Sequence, residues 1–235
     1  ARLQAALAEL PLVEAVKAQR QRKAAPHGPE QAVLDTPEPA VPDADSQKHA
    51  ARVSTTDPDA RGMKMGDGGF RPAYSSGFAT DVDSRVIVGV AVTNSGSDKA
   101  QLIPMLDPVE RRTGQVPAAY LADGGFVTSE SVTAAAAKPT VLYAPPITPK
   151  NGRDPAEPCR GDTPAEAAWR QRMATPEAKA IYKDRAATAE WVHADAKAHR
   201  TLDAFVVRGL PKVLSCALWV ALTHNVLRAL RAGVS

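Results

Sequence analysis

The sequence predicts an α/β fold in which a mixed β-sheet is flanked by helices. Three segments with strand composition follow one another between residues 52 and 93. From residue 98 onward, segments with helical periodicity alternate with short strand-like segments. Three antiparallel strands followed by alternating helices and strands are typical of a mixed sheet that helices cover.

Composition sets limits on the class of protein. The chain has 235 residues, of which 44% are hydrophobic and 23% charged, as in ordinary globular proteins. The net charge of +3 permits nucleic-acid binding without establishing it. Cys159 and Cys216 lie outside any metal-binding or disulfide motif, so we predict a reducing cytoplasm. The most apolar run, residues 213–222, is shorter than the ~20 residues of a membrane helix, so no membrane association is expected.

The first fifty residues differ from the rest of the chain. Apolar residues at helical spacing predict a helix over residues 1–23, which Pro11 should break or restart. Five prolines among alanines and acidic residues predict a linker without fixed structure over residues 24–51. The main domain is then expected over residues 52–230, with a proline-rich loop at 145–163.

The first part of this domain predicts an antiparallel meander. Strands are expected at residues 52–56, 73–80 and 85–93, and glycine- and aspartate-rich turns at 66–69 and 81–84. The third strand is almost continuously apolar and β-branched, which predicts burial on both faces.

The alternating part begins with a helix that Asp98 is expected to cap and Gly114 to end. Short strands are predicted at residues 118–122 and 140–144, on either side of a helix over 129–138.

The remainder of the chain predicts helices. Thr163 and Glu166 form a capping-box pattern, and a longer helix is expected over residues 175–199. A short strand at 204–207 and an apolar closing helix at 212–230 complete the predicted order of elements.

Asp123 is the first candidate for a functional residue. It follows a predicted strand and precedes Gly124 and Gly125. Ligands collect at strand ends in α/β sheets, and glycines leave room for a metal or a phosphate beside the carboxylate. The alternative is that Asp-Gly-Gly is simply a turn.

Glu190 is the second candidate, and it lies inside the predicted helix 175–199. Small residues precede it, so its carboxylate could face a packed sheet, and Lys197 shares its side of the helix at ~100° per residue. The alternative is a solvated helix surface. Asp57 and Asp59 form a third group, in an Asp-Pro-Asp sequence that usually starts a turn.

The order of several short sequence blocks resembles the DDE transposases of bacterial insertion sequences, from about residue 52 to residue 230. The blocks that carry this resemblance are residues 53–61, 63–65, 68–74, 78–81, 88–94, 120–126, 143–145, 168–173, 182–190, 205–213 and 224–228.

The resemblance implies an RNase H-like fold in which three acidic residues hold two divalent ions, Mg²⁺ or Mn²⁺. It makes Asp123 the second acid and Glu190 the third, which requires the two carboxylates to meet at one sheet edge. Tyr182, Arg185 and Lys197 match a Tyr/Arg/Glu/Lys signature that contacts transposon-end phosphates in relatives. Tyr182 precedes Glu190 by eight residues instead of the commoner seven, which on an α-helix turns it ~80° away.

The first acid departs from the family pattern. Relatives carry it on the first sheet strand in an Asp-Gly-Thr-like motif, which this sequence lacks. Residues 1–50 resemble the end of the helical insertion that follows that strand. We therefore expect an N-terminally truncated fragment without the first strand, in which the first acid is either missing or replaced by Asp57.

The implied activity is metal-dependent DNA nicking and strand transfer, with transposon ends and target DNA as partners and no small-molecule cofactor. A homodimer remains open, and the location would be the bacterial cytoplasm, at the nucleoid when DNA is bound. Two alternatives stay open: an inactive DNA-binding remnant of a transposase, and an RNase H-like nuclease unrelated to transposition. The basic residues expected along the DNA path, besides Arg185 and Lys197, are Arg170, Arg172, Lys179, Lys183 and Arg200.

Overall fold

The computed structural model describes residues 1–24, 50–99, 101–148 and 152–233. They fall into two compact units, residues 1–73 and 74–235, which are described separately. Helices and small sheets are both present, so the structure is mixed α/β, as predicted. The predicted linker lies largely outside the described residues.

The first unit begins with helix α1 (Arg2–Ala24), which runs through Pro11 without the predicted break. A proline removes one backbone hydrogen bond and disfavours the helix around it. Alanine, leucine, glutamate and glutamine fill most of the neighbouring positions, and these strong helix formers offset that loss.

The strand predicted at residues 52–56 is not formed. The Ser54 hydroxyl accepts a hydrogen bond from the Asp57 backbone N–H at 3.1 Å and lies 3.1 Å from the Thr56 hydroxyl. Such local side-chain contacts compete with a β-ladder, and the segment forms bends and turns instead.

A β-hairpin follows in the same unit. Strands β1 (Arg61–Lys64) and β2 (Phe70–Ala73) pair antiparallel around the predicted turn at residues 66–69. The Arg61 guanidinium forms an ion pair with Glu9 at 2.6 Å, which fixes α1 beside the hairpin.

The second unit begins with a longer antiparallel pair, β3 (Ser75–Thr80) and β4 (Ile87–Thr93), joined by the predicted turn at 81–84. Strand β4 starts two residues later than predicted because Arg85 has a left-handed backbone, with φ of 58°. Glycine is needed at position 89, where a Cβ atom would lie 2.9 Å from the Val109 side chain of the helix that covers the pair.

That covering helix is α2 (Leu102–Thr113). Gly114 ends it in the left-handed conformation, as predicted. The prediction that Asp98 caps it is wrong. Gln101 stands at the cap position without a side-chain hydrogen bond, and the Asp98 carbonyl accepts a hydrogen bond from the Gln101 N–H at 3.1 Å.

A parallel pair forms the next layer of the second unit. Strands β5 (Ala119–Leu121) and β6 (Val141–Tyr143) pair in parallel, connected by helix α3 (Ser129–Ala136). These elements confirm the predicted order, with shorter bounds.

Among the described residues, strand hydrogen bonds form three two-stranded sheets and not the single mixed sheet that was predicted. The RNase H-like arrangement is therefore not confirmed. One physical reason lies at the start of β4, where a helix covers the main chain: the Asn225 amide both donates to and accepts from the backbone of Ile87, at 2.9 and 2.8 Å. A strand with its edge groups bonded in this way cannot add a neighbour at that point.

Helices make up the rest of the second unit. The caps predicted at Thr163 and Thr175 are both confirmed. The strand predicted at 204–207 is wrong, because Thr201 ends the preceding helix in a left-handed conformation and turns follow. The helices are α4 (Pro164–Ala174), α5 (Pro176–Arg185), a π-helical turn (Ala186–Glu190), α6 (Trp191–Arg200) and α7 (Leu210–Arg231).

Two hydrophobic clusters hold the second unit together. One joins β5, β6 and α3 to α4, where the Trp169 indole donates to the Ala144 carbonyl at 3.0 Å. The other joins β3 and β4 to α6 and α7, with Val192 and Ala217 fully buried.

Helix α7 is fixed to the β3–β4 turn by polar side chains. His224 contacts the Arg85 carbonyl at 2.9 Å, and Arg228 donates to the Ser84 carbonyl at 2.9 Å. By length and composition alone, α7 would be apolar enough to cross a membrane. One side of the helix, which includes Val213 and Ala221, is buried in the second unit, whereas Trp219, Leu222 and Leu230 are exposed.

Replacing Asn225 with leucine should lower the free energy of unfolding by about 2 kcal/mol or more, because the buried N–H and C=O of Ile87 would both lose their partner. Urea denaturation measures the change. Ser215→Ala is the control on the same helix, since that hydroxyl bonds only the carbonyl of Pro211. Equal effects of the two substitutions would contradict the edge-capping role.

Candidate active site

Asp123 stands immediately after β5 and caps a short 3₁₀ turn (Gly124–Phe126). Its Oδ1 atom accepts a hydrogen bond from the Gly125 backbone N–H at 2.9 Å. The Asp-Gly-Gly sequence is thus a turn, in agreement with the plainer interpretation. The same turn leaves the second carboxylate oxygen, Oδ2, available to other partners.

Gly124 and Gly125 differ in how much space each position has for a side chain. A Cβ atom on Gly124 would lie 2.8 Å from the carbonyl oxygen of Pro145. The expectation that this glycine makes room for a ligand is wrong, since the room is taken by the main chain of the proline-rich loop. A Cβ atom on Gly125 would meet only the Asp123 carboxylate, at an ordinary 3.4 Å.

Glu190 is the last residue of the π-helical turn that joins α5 to α6. Its side chain is 60% exposed and that of Asp123 is 52% exposed, so both acids are accessible to solvent and to ligands.

Arg185 connects the two acids. Its Nη2 atom donates to Asp123 Oδ2 at 3.1 Å, and its Nη1 atom donates to Glu190 Oε1 at 2.8 Å. The structure therefore brings together two carboxylates that are far apart in the chain, one from a strand end and one from a helix, on a single guanidinium group. The Arg185 side chain is only 20% exposed.

Tyr182 belongs to the same cluster. Its ring centre lies 6.0 Å from the guanidinium carbon of Arg185. Burial raises the pKa of the Tyr182 hydroxyl; Arg185 lowers it, and Asp123 and Glu190 raise it further. The expectation that the eight-residue spacing turns Tyr182 away from the acids is wrong, because the π-helical turn absorbs the additional residue.

His193 adds a half-buried ring on the next turn of the helix. It packs against Phe78 with ring centres 5.3 Å apart. Burial lowers the pKa of His193, and the positive charges of Lys197 and Arg185 lower it further. Lys197 itself is exposed, and its positive charge acts on the His193 ring.

Besides Arg185, three of the predicted DNA-contacting residues are engaged within the fold, and one of them, Arg200, pairs with Asp195 at 3.0 Å. Arg170 pairs with Asp162 at 2.8 Å and donates to the Pro155 carbonyl at 3.2 Å, which attaches the proline-rich loop to α4. Arg172 donates to the Leu142 carbonyl at 3.2 Å and so attaches α4 to β6. Lys183, in contrast, is exposed on α5.

Asp57 and Asp59 lie in the first unit, where residues 57–60 form a turn. The Ala60 N–H donates to the Asp57 carbonyl at 3.1 Å, and the Arg61 guanidinium donates to the carbonyls of Pro58 and Asp59. The turn interpretation of Asp-Pro-Asp is thereby supported for the backbone.

The acid pair fits a divalent ion in part. Within residues 1–24, 50–99, 101–148 and 152–233, no group of three or more His, Cys, Asp or Glu side chains is arranged to hold a metal. Asp123 and Glu190 nevertheless offer the oxygen donors that Mg²⁺ prefers, and both already bind one cation, the guanidinium of Arg185.

Residues 160–230 match the model of a protein family described as "Transposase DDE domain". The match supports a DDE transposase. The matched segment runs from the start of the helical region to α7 and contains Glu190, Arg185 and Tyr182, whereas Asp123 lies before it. No curated protein and no solved structure matches the chain.

Sequence reasoning missed that Arg185 would bridge both acids and that a π-helical turn would place Glu190. The irregular spacing between Tyr182 and Glu190 was the available signal, since an additional residue within a helix must either rotate all later residues or bulge locally.

Gly124→Ala should lower the free energy of unfolding by about 1–3 kcal/mol, because its methyl group would collide with the Pro145 main chain. The matched control is Gly125→Ala, which should change stability far less, and urea denaturation measures both. If the two variants unfold alike, the close approach of the proline-rich loop is not a constraint on this turn.

Stability should fall as the pH drops through the ordinary histidine pKa of 6.5, because His193 takes up a proton more readily when unfolded than when folded. Between about pH 7.5 and about pH 5.5, the loss of Tm should be smaller for His193→Gln than for the unsubstituted chain. His199→Gln, at an exposed position on the same helix, is the control. If the Tm of His193→Gln fell with pH as much as that of the unsubstituted chain, His193 would not be the source of the pH dependence.

Proposed function

We propose that this chain is the catalytic region of a DDE transposase, which nicks DNA at the ends of an insertion sequence and joins the freed end to target DNA. The convergence of Asp123 and Glu190 on Arg185 carries the proposal. The family match to residues 160–230 supports it from the sequence side.

The proposed metal ligands are Asp123 and Glu190, with Mg²⁺ or Mn²⁺ as the ion. When bound, two such ions activate the attacking oxygen and stabilise the leaving oxygen of the phosphodiester. The chain itself fixes the Asp123 carboxylate by the Gly125 N–H and the Glu190 carboxylate by the helix turn that carries it. Asp57 stays our candidate for a first acid from within this chain.

Arg185 would have two roles in turn. Without a divalent ion, its guanidinium neutralises both carboxylates and keeps them together. If the carboxylates held a metal ion instead, the guanidinium would be free for a DNA phosphate, which its planar fork of N–H groups suits. Tyr182, Lys183 and Lys197 would extend this phosphate-binding surface, with an affinity that falls steeply as salt rises.

A nicking assay tests the proposal on a supercoiled plasmid that carries the DNA flanking the coding sequence. Because Asp57 is a candidate for the first acid outside the family's usual motif, we expect weak nicking that needs Mg²⁺ or Mn²⁺ and stops on chelation. Asp123→Asn and Glu190→Gln should each reduce the rate at least about 100-fold, since even residues that merely support metal ligands cost 10–100-fold. Asp184→Asn, an exposed carboxylate on the same helix, should leave the rate unchanged.

The alternatives give different results in the same assay. Salt-sensitive DNA binding without any nicking would support an inactive DNA-binding remnant, and cleavage confined to RNA–DNA hybrids would support an unrelated RNase H-like nuclease. Nicking that survives both Asp123→Asn and Glu190→Gln would overturn the site assignment.

A further inference from the structure

The contact between Arg185 and Glu190 is not one that an α-helix provides. Residues five positions apart on an α-helix are separated by ~140° around the axis, and side chains meet at spacings of three and four. Nevertheless Arg185 Nη1 and Glu190 Oε1 are 2.8 Å apart. The π-helical turn Ala186–Glu190 accounts for this, because its backbone hydrogen bonds span five residues and bring position i+5 above position i.

The sequence of this turn does not itself favour a π-helix. Three of its five residues are alanines, and alanine has the highest preference for the α-helix. Only Thr188 and Glu190 in the turn carry side chains that form hydrogen bonds. The wide turn therefore depends on interactions beyond the intrinsic preference of its own residues.

Thr188 supplies a second set of hydrogen bonds to the helix backbone. Its hydroxyl donates to the Asp184 carbonyl at 2.8 Å and lies 3.3 Å from the Arg185 carbonyl. A hydroxyl bond to the carbonyl four residues back also occurs in the regular helix α7, from Thr223 to Trp219. In the wide turn, backbone N–H groups are displaced from the carbonyls that they would meet in an α-helix, and the Thr188 hydroxyl reaches a second carbonyl, that of Arg185. Thr188 is 5% exposed, so water does not readily replace it.

We infer that Thr188 is a positioning residue: its hydroxyl stabilises the π-helical turn and thereby places the Glu190 carboxylate on the same side of the helix as Arg185 and Asp123. The consequence for catalysis rests on the proposed function. The effect on the Arg185–Glu190 contact does not, because it is a property of the helix alone.

Three variants of the full chain test the inference. Thr188→Val keeps the size and branching of the side chain and removes the hydroxyl, whereas Thr188→Ser keeps the hydroxyl. The third variant combines Thr188→Val with deletion of Ala187, which removes the residue that the π-helical turn absorbs. In that variant, Arg185 and Glu190 become four residues apart and can meet on an ordinary α-helix.

The first readout is the coupling between Arg185 and Glu190 in thermal unfolding. In the unsubstituted chain, the Tm changes caused by Arg185→Gln and Glu190→Gln should be non-additive, as expected for residues in contact. They should become additive with Thr188→Val, stay non-additive with Thr188→Ser, and become non-additive again in the deletion variant. Retained coupling in Thr188→Val, or equal loss in Thr188→Ser, would overturn the inference.

The second readout is Mn²⁺ binding, followed by the electron paramagnetic resonance signal of the free ion. Thr188→Val should weaken Mn²⁺ binding about 10-fold and Thr188→Ser should restore it, as for residues that support metal ligands. If no variant binds Mn²⁺ but the coupling follows the expected pattern, the proposed function fails and the role of Thr188 stands. Should Thr188→Val not fold, Thr188→Ala takes its place, because alanine also lacks the hydroxyl and favours the α-helix, and coupling retained in Thr188→Ala would overturn the inference.

Discussion

The guanidinium of Arg185, shared by Asp123 and Glu190, is the contact on which the candidate site depends. The two ion pairs alone do not hold these three side chains together. The side chains of both acids are more than half exposed, and such ion pairs contribute at most about 1 kcal/mol each to stability. The surrounding backbone must bring the groups together first.

Asp123 and Glu190 are each held in place by a different local interaction. The Gly125 N–H fixes the Asp123 carboxylate, and the close approach of Gly124 to the Pro145 carbonyl fixes that turn against the proline-rich loop. The π-helical turn presents Glu190. A pair of acids that is preorganised in this way, but held by a weak ion pair, can exchange one cation for another at little cost.

Local chemistry explains which parts of the fold the sequence could predict. The helix caps at Thr163 and Thr175 and the stop at Gly114 need only neighbouring residues, and all three are confirmed. The predictions that failed depend on competition or distance. Ser54 hydrogen bonds replace a strand, and the capping of β4 by Asn225, far along the chain, could not be inferred from any short segment.

In the candidate site, too, some features could be predicted from the sequence and others could not. The likeness to DDE transposases implied that Asp123 and Glu190 would meet, whereas no local pattern indicated that Arg185 would lie between them. That contact needs a five-residue spacing, which regular helix geometry excludes. Only the irregular distance from Tyr182 to Glu190 pointed to a departure from the α-helix.

Packing at both ends explains why the departure takes the form of a local bulge. Ala178, in α5, is buried in the cluster around β5 and β6, while Val192 and Ala196, in α6, are buried in the cluster around β3 and β4. An additional residue in a regular helix would rotate everything after it by ~100° and would pull one of these faces out of its cluster. Confining that residue to a π-helical turn, which the Thr188 hydroxyl supports, keeps both faces buried and places Glu190 at the end of the turn.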